Sequence, residues 1–262
     1  MIKITDIRTY GWEEAIRGMR NPMNSWTKSD TYNHNGFLFE EDFNEAKEEG
    51  CVPELAKWVQ DNPGSGTCDP FCSYVIGDND LNLMKRLRQA GTDHRKYMRM
   101  IAVYCDITAP LYWWKEFDTY KVGTVANSCS TMHKIQAKEF GWSDFSFEHL
   151  DNSIACTLPD DFCTFDEDND DEISMTQVAG MILAALNECR DLYLQTKDKR
   201  YWWQMIQLLP SSYNQKRTAM LNYEVLANMY KSRKNHKLDE WRDFCDWIET
   251  LPYSELITGK DE

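Results

Sequence analysis

No apolar run in this chain approaches the ~18 residues that a membrane-spanning helix requires, so no membrane partner is expected. The opening residues, MIKITDIRTYGW, lack a basic stretch followed by an apolar one, which argues against a secretory signal. No Gly/Ser/Pro-rich linker divides the chain, and no internal repeat is visible. Positive charge is in deficit, with 29 Lys and Arg against 43 Asp and Glu and a formal charge of −14. That balance argues against nonspecific DNA or RNA binding, which rests on cationic contacts to phosphates. The five histidines, His34, His94, His133, His149 and His236, are too dispersed to suggest a metal site. The nine cysteines are odd in number and scattered; only Cys68 and Cys72 are close, and CDPFC lacks the second pair of a zinc site. Reduced, mostly buried thiols in a cytoplasmic protein are the expectation. GxSxG, HExxH, Walker and GxGxxG patterns are all missing, which removes the commonest hydrolytic and dinucleotide sites.

What is present suits a folded enzyme-sized core. The 262 residues are 42% hydrophobic and 13% aromatic, enough for one large or two small domains. Charge is uneven along the chain. Glu40–Glu49 and Asp160–Glu172 are acidic, whereas Lys85–Arg99 and Arg217–Arg242 hold much of the positive charge. A pocket drawing on those two basic regions would be positive on an acidic protein.

Periodicity predicts a strand over Ile2–Tyr10, a helix over Asp80–Ala90 that stops at Gly91, and a central strand over Met98–Ile107. A helix is expected over Trp113–Asp118, leading into the turn DTYKVGT. Asp166, Asp168 and Asp170 have the first spacings of a calcium loop, but Asp171 replaces the required glycine and Gln177 the closing glutamate, so a solvated acidic loop is the better reading. Ser174-x-x-Gln177 is a capping box. It opens a helix whose Val178, Met181, Ile182, Ala185, Leu186 and Cys189 form an apolar stripe, read as core. Helices over Arg217–Ser232 and Leu238–Glu249 are expected to bury Leu221, Val225, Leu226 and Met229, then Trp241, Phe244, Cys245 and Ile248. The pattern predicts one α+β domain over residues 1–262, a mixed sheet flanked by helices with a helical C-terminal part and an acidic loop insertion around residues 157–173.

Two segments carry chemistry. In Ala109–His133, Glu116 is followed by Thr119, Tyr120 and Lys121, then Thr124, Asn127 and Ser130. Hydroxyls, an amide and an ammonium on one turn can hold a phosphate or a base edge; a polar turn capping a helix is the alternative. In Leu209–Trp241, Asn222 and Arg233 are about three helical turns apart, with His236 beyond; a solvated basic face is the alternative there.

Together these segments resemble the flavin-dependent thymidylate synthases. That family carries R-H-R-x-x-S-x-N-x-x-S-x-R after an apolar segment, and APLYWWKEFDTYKVGTVANSCSTMH fits it with one residue inserted between Thr124 and Asn127. Leu209-Pro210, Asn222, Arg233 and His236 reproduce the order of the family's second motif. DLNLMKRLRQAGTDHRKYMRMIAVYCDI is similar to the helix-turn-strand that precedes the first. The resemblance covers Asp80–Met132 and Trp202–Ile248. It implies the family fold, a small-molecule nucleotide ligand, FAD as a cofactor and a homo-oligomer, tetrameric in the family.

The departures are as informative. The R-H-R triplet, which in the family faces the flavin and orients substrate, corresponds to Thr119, Tyr120 and Lys121. The family's Gln just before it corresponds to Glu116, and two arginines that bind the dUMP phosphate fall on Met132 and Ile206. HRKYMRM keeps no S-x-x-E-H pattern where a flavin-contacting His would lie. Asn127, Ser130, Asn222 and Arg233 survive; in the family this arginine sits by the pyrimidine and promotes its activation. Each charged hydrogen bond removed costs ~1.5–3 kcal/mol, so two lost phosphate arginines weaken dUMP hundreds-fold unless Arg95, Lys96, Arg99 or Arg217 substitute. The expectation is a nucleotide binder without the family's standard dTMP synthesis, sequestering a nucleotide or signalling nucleotide, as in phage–bacterium conflict. A flavoenzyme acting on an altered pyrimidine nucleotide, and an interaction protein that inherited the fold, are the alternatives.

Overall fold

A computed structural model describes residues 2–33, 74–157 and 172–260. Strands are β1 (Lys3–Tyr10), β2 (Tyr32–Asn33), β3 (Tyr74–Val75), β4 (Ala102–Pro110), β5 (Val125–Ser128), β6 (Ala155–Thr157), β7 (Glu172–Ser174) and β8 (Asn214–Asn222). Helices are α1 (Trp12–Arg20), α2 (Asp78–Gln89), α3 (Leu111–Phe117), α4 (Met175–Thr196), α5 (Lys199–Leu208), α6 (Tyr223–Arg233), α7 (Asp239–Glu249) and α8 (Glu255–Thr258). Four strands form one sheet in the order β1-β4-β8-β5; β2 pairs antiparallel with β3, and β6 with β7. The expected α+β class is what folds. Among the described residues no helix is long and apolar enough to cross a membrane.

The described residues divide into two compact units. The larger holds residues 2–33, 74–107, 116–127 and 217–260; the smaller holds 108–115, 128–157 and 172–216. The boundaries fall inside β4, α3, β5 and β8.

In the larger unit, β4 buries Val103, Cys105 and Ile107 on alternate positions, the period that a strand imposes. The central strand predicted from Met98 begins later, because Tyr97 and Met98 are buried in a 3₁₀ turn over Lys96–Arg99. Chain entry into α1 depends on Gly11, whose φ of 87° is left-handed. A Cβ there would stand 2.1 Å from the Met100 carbonyl oxygen, so only glycine fits.

Helix α1 buries Arg20, which donates from Nε to Asp80 Oδ1 at 2.6 Å. Asp80 Oδ2 also accepts from the Ser29 and Thr31 hydroxyls at 2.6 and 2.8 Å. Burial by itself would raise the Asp80 pKa. The Ser29, Thr31 and Arg20 hydrogen bonds and the Arg20 charge outweigh it, and the carboxyl is held below the usual carboxylate range.

The helix expected over Arg217–Ser232 is corrected. Residues 214–222 form β8, burying Gln215, Ala219 and Leu221 at even spacing, and the helix starts only at Tyr223. The period changes from 2 to 3.6 at Asn222, whose Oδ1 accepts the Val225 N–H at 2.9 Å as the N-cap of α6. Helix α7 buries Trp241, Phe244, Cys245 and Ile248 as predicted.

In the smaller unit, the Ser174 capping box forms in both directions, at 3.2 Å into the Ser174 hydroxyl and 2.7 Å into Gln177 Oε1. The stripe of α4 is less buried than its pattern suggested. Leu186 is fully buried, Val178, Ile182, Ala185 and Cys189 are intermediate, and Met181 is exposed. Helix α5 covers part of α4, and Ile135, Phe140, Phe145, Leu186 and Met205 make the core beneath them. Trp113 and Trp114 are wholly buried, whereas Trp203 is exposed.

Among the described residues the expected burial of the thiols holds only in part: Cys105 and Cys245 are buried and Cys189 is intermediate, but Cys129 and Cys156 are exposed, one just beyond β5 and one on the β6–β7 ribbon; these five are free. His34, the Glu40–Glu49 stretch, Cys68, Cys72 and the Asp166, Asp168 and Asp170 spacing lie outside the described residues, as does most of the acidic insertion.

Candidate functional site

The last turn of α3, the turn after it and the ends of α6 and α7 bring four of the predicted residues together in the larger unit. Glu116 lies in the last turn of α3, and its Oε2 pairs with Arg233 Nη1 at 2.9 Å. Arg233 Nε donates to the Tyr120 hydroxyl at 2.9 Å. His236 Nε2 stands 3.5 Å from the same Glu116 oxygen. His236 Nδ1 accepts the Leu238 N–H at 3.2 Å, so the neutral ring carries its proton on Nε2, facing the carboxylate.

A fifth member was read from sequence only as core. Trp241 Nε1 donates to Glu116 Oε2 at 2.8 Å, and the indole ring lies 4.9 Å from the Arg233 guanidinium carbon. The Tyr120 ring is 5.6 Å from that carbon. An arginine thus sits against two aromatic rings with a carboxylate on one edge, a geometry that fixes a guanidinium plane. The only sequence signal for Trp241 was its apolar spacing on α7, which reports burial and not its indole N–H.

The cation is offset but not sealed. The Arg233 side chain keeps 20% of its exposure and that of Glu116 keeps 37%. No described residue accepts a hydrogen bond from Arg233 Nη2, which leaves a donor for an incoming acceptor.

The remaining predicted residues play smaller parts. Thr119 Oγ1 donates to the Glu116 carbonyl at 2.7 Å, and Thr124 Oγ1 to the Tyr120 carbonyl at 2.6 Å, so both hydroxyls shape the turn. Gly123 has a φ of 86°, and a Cβ there would meet Asn222 Nδ2 at 2.5 Å. The turn therefore lies directly against the N-cap of α6. Lys121 and Asn127 are exposed. Ser130 belongs to the smaller unit, where its Oγ accepts the Met132 and His133 N–H groups at 3.3 and 2.8 Å.

Of the positions where the expected phosphate arginines are missing, Met132 is exposed and Ile206 packs on the smaller unit's core. Among the possible replacement cations, Arg217 pairs with Asp118 at 2.7 Å and Arg95 with Glu224 at 2.8 Å. Among the described residues, no group of three or more His, Cys, Asp or Glu is placed to hold a metal ion.

No family model and no curated protein matches the sequence. Solved structures do match. The flavin-dependent thymidylate synthase ThyX from Helicobacter pylori, complexed with FAD and dUMP, is 15% identical with a TM-score of 0.56, over 97% of this chain and 99% of its own. A second structure of that enzyme with FAD and dUMP gives 14% and 0.57, over 99% and 98%. The UMP/dUMP methylase PolB from Streptomyces cacaoi, bound with 5-Br UMP, gives 16% and 0.47, over 70% and 83%. The chain has the fold of the flavin-dependent thymidylate synthases in a strongly divergent form.

Proposed function

We propose that this chain is a nucleotide-binding protein that keeps the thymidylate synthase fold without its standard dTMP synthesis, a non-catalytic binder that sequesters a nucleotide or a signalling nucleotide. The observation that carries the reading is the state of Arg233. The one arginine retained from the family's two motifs is bonded to Glu116 and Tyr120, the residues that stand where the family has Gln and His. A carboxylate at 2.9 Å already supplies the charge partner that an anionic pyrimidine would supply. Arg233 is therefore suited to holding a ligand edge through Nη2, beside Tyr120 and Trp241, more than to activating a base.

The binding residues in this reading are Glu116, Thr119, Tyr120, Lys121, Thr124, Asn127, Asn222, Arg233 and His236, all of the larger unit. Arg233, Tyr120 and His236 face the ligand directly, and Lys121 supplies a phosphate contact from the exposed turn. Thr119, Thr124 and Asn222 hold the turn against α6. The protein acts in the cytoplasm as a homo-oligomer, a tetramer by its resemblance.

FAD fits the triplet positions poorly. Thr119 spends its hydroxyl on a backbone carbonyl, Tyr120 is turned onto Arg233, and only Lys121 remains a cation. The second reading, a flavin-dependent enzyme modifying a pyrimidine nucleotide, rests on the FAD and dUMP bound in the Helicobacter pylori structures. A yellow protein whose absorption bleaches on reduction would favour it.

A thermal-shift screen across nucleotides tests the first reading. Stabilisation by at least one nucleotide, reduced in Arg233→Ala and Lys121→Ala, is expected. No stabilisation by any nucleotide would overturn it.

A further inference from the structure

Three side chains converge on one oxygen of Glu116, and one of them can change its charge near neutral pH. Arg233 Nη1 and Trp241 Nε1 reach Glu116 Oε2 at 2.9 and 2.8 Å, and His236 Nε2 stands 3.5 Å from it. Imidazole is the side chain that gains or loses a charge in the physiological range. We propose, resting on the nucleotide reading of this site, that His236 takes up a proton when an anionic nucleotide binds beside Arg233. The site then holds such a ligand more tightly in mild acid than in mild base.

The charges around Arg233 give the direction. With the ring neutral, Glu116 and Arg233 cancel, and the pair meets an anion with no net charge. With the ring protonated, a second cation faces Glu116, and the attraction of Arg233 for an outside anion is no longer cancelled. Solvent screens this only in part, because the Arg233 and His236 side chains keep 20% and 23% of their exposure.

The other ring nitrogen makes the proton conditional on the ligand. His236 Nδ1 accepts the N–H of Leu238, the N-cap of α7, at 3.2 Å. A proton on Nδ1 would face that N–H and the positive end of the helix. In the empty site Glu116 favours the second proton and the start of α7 opposes it. A bound anion adds negative charge and leaves the opposition as it was. Ligand and proton therefore favour each other, and the coupling is reciprocal.

The neighbouring charges leave that balance in place. Arg242 Nη1 donates to the His236 carbonyl at 2.9 Å, on the backbone side, and Arg242 is itself paired with Asp239. Tyr120 contributes a hydroxyl bonded to Arg233, and the Trp241 ring lies edge-on to the imidazole at 6.3 Å.

Two measurements on the full chain test the proposal. Nitrogen-15 NMR of the histidine rings in mild base, with His236→Gln to assign the signal, should show the Nε2–H tautomer for His236; the Nδ1–H tautomer would overturn the arrangement. Calorimetric titration with dUMP, UMP, CMP, AMP and GMP, near pH 6 and near pH 8, reads the coupling. The ratio of wild-type to His236→Gln affinity cancels the ligand's own phosphate titration. For each nucleotide that binds, that ratio should be about fivefold or more higher near pH 6 than near pH 8. In the wild type, the dependence of the binding enthalpy on the buffer's ionisation should also give net proton uptake beyond that of the phosphate, a readout that does not need the variant to fold. Binding with an unchanged ratio, or without that uptake, would overturn the proposal and leave the nucleotide reading standing. No binding of any of these nucleotides at either pH would overturn both.

Discussion

At the scale of single residues, Glu116 decides what Arg233 can do. The pair is partly exposed, so its attraction is worth only ~1 kcal/mol after solvent screening. Glu116→Gln restores the residue type of the related enzymes and should tighten binding of an anionic nucleotide about fivefold, read by calorimetry. Unchanged or weaker binding would show that the carboxylate does not compete with the ligand. Asn222 acts on the helix instead. Its Oδ1 caps α6, and Asn222→Ala should cost ~1 kcal/mol of stability, visible as a shift in the urea midpoint. Glu116, Tyr120, Arg233 and His236 were legible in the sequence because their order follows the family's motifs. Trp241 was not, since burial and hydrogen bonding leave the same apolar spacing. Ser130 was selected with them, yet it caps a turn of the smaller unit.

At the scale of elements, boundaries were harder to read than identities. The switch from β8 to α6 lies within one continuous polar-apolar run, and only the even spacing of Gln215, Ala219 and Leu221 betrays the strand. The pairing of α1 with the start of α2 was illegible, because Arg20 and Asp80 are 60 residues apart. Their ion pair is fully buried, and breaking one partner strands the other charge. Asp80→Asn should therefore lower stability by ~3–5 kcal/mol in denaturant unfolding. The Asp80 pKa is depressed in the folded chain, so its contribution is complete above the ordinary carboxyl value near 3.8 and is lost as pH falls through the folded value. The stability gap between the wild type and Asp80→Asn should accordingly narrow in acid below about pH 4. A gap independent of pH would contradict that assignment.

At the scale of the whole molecule, the α+β class was legible from motif order, although identity to the solved structures of the fold is only 15% and 14%. The division into two units was not, because it cuts through strands and leaves no change in composition at its borders. The uneven charge was a better guide: the two basic regions do share one cavity. Sedimentation velocity should give a homo-oligomer, and a monomer at micromolar concentration would remove that expectation. The central claim is that Arg233 anchors a nucleotide. It is tested most directly by calorimetric titration of a nucleotide panel, dUMP included, into the wild type and Arg233→Ala. Micromolar or tighter binding of at least one nucleotide, lost in the variant, is the predicted result. Absence of binding across the panel, or equal binding by the variant, would contradict it.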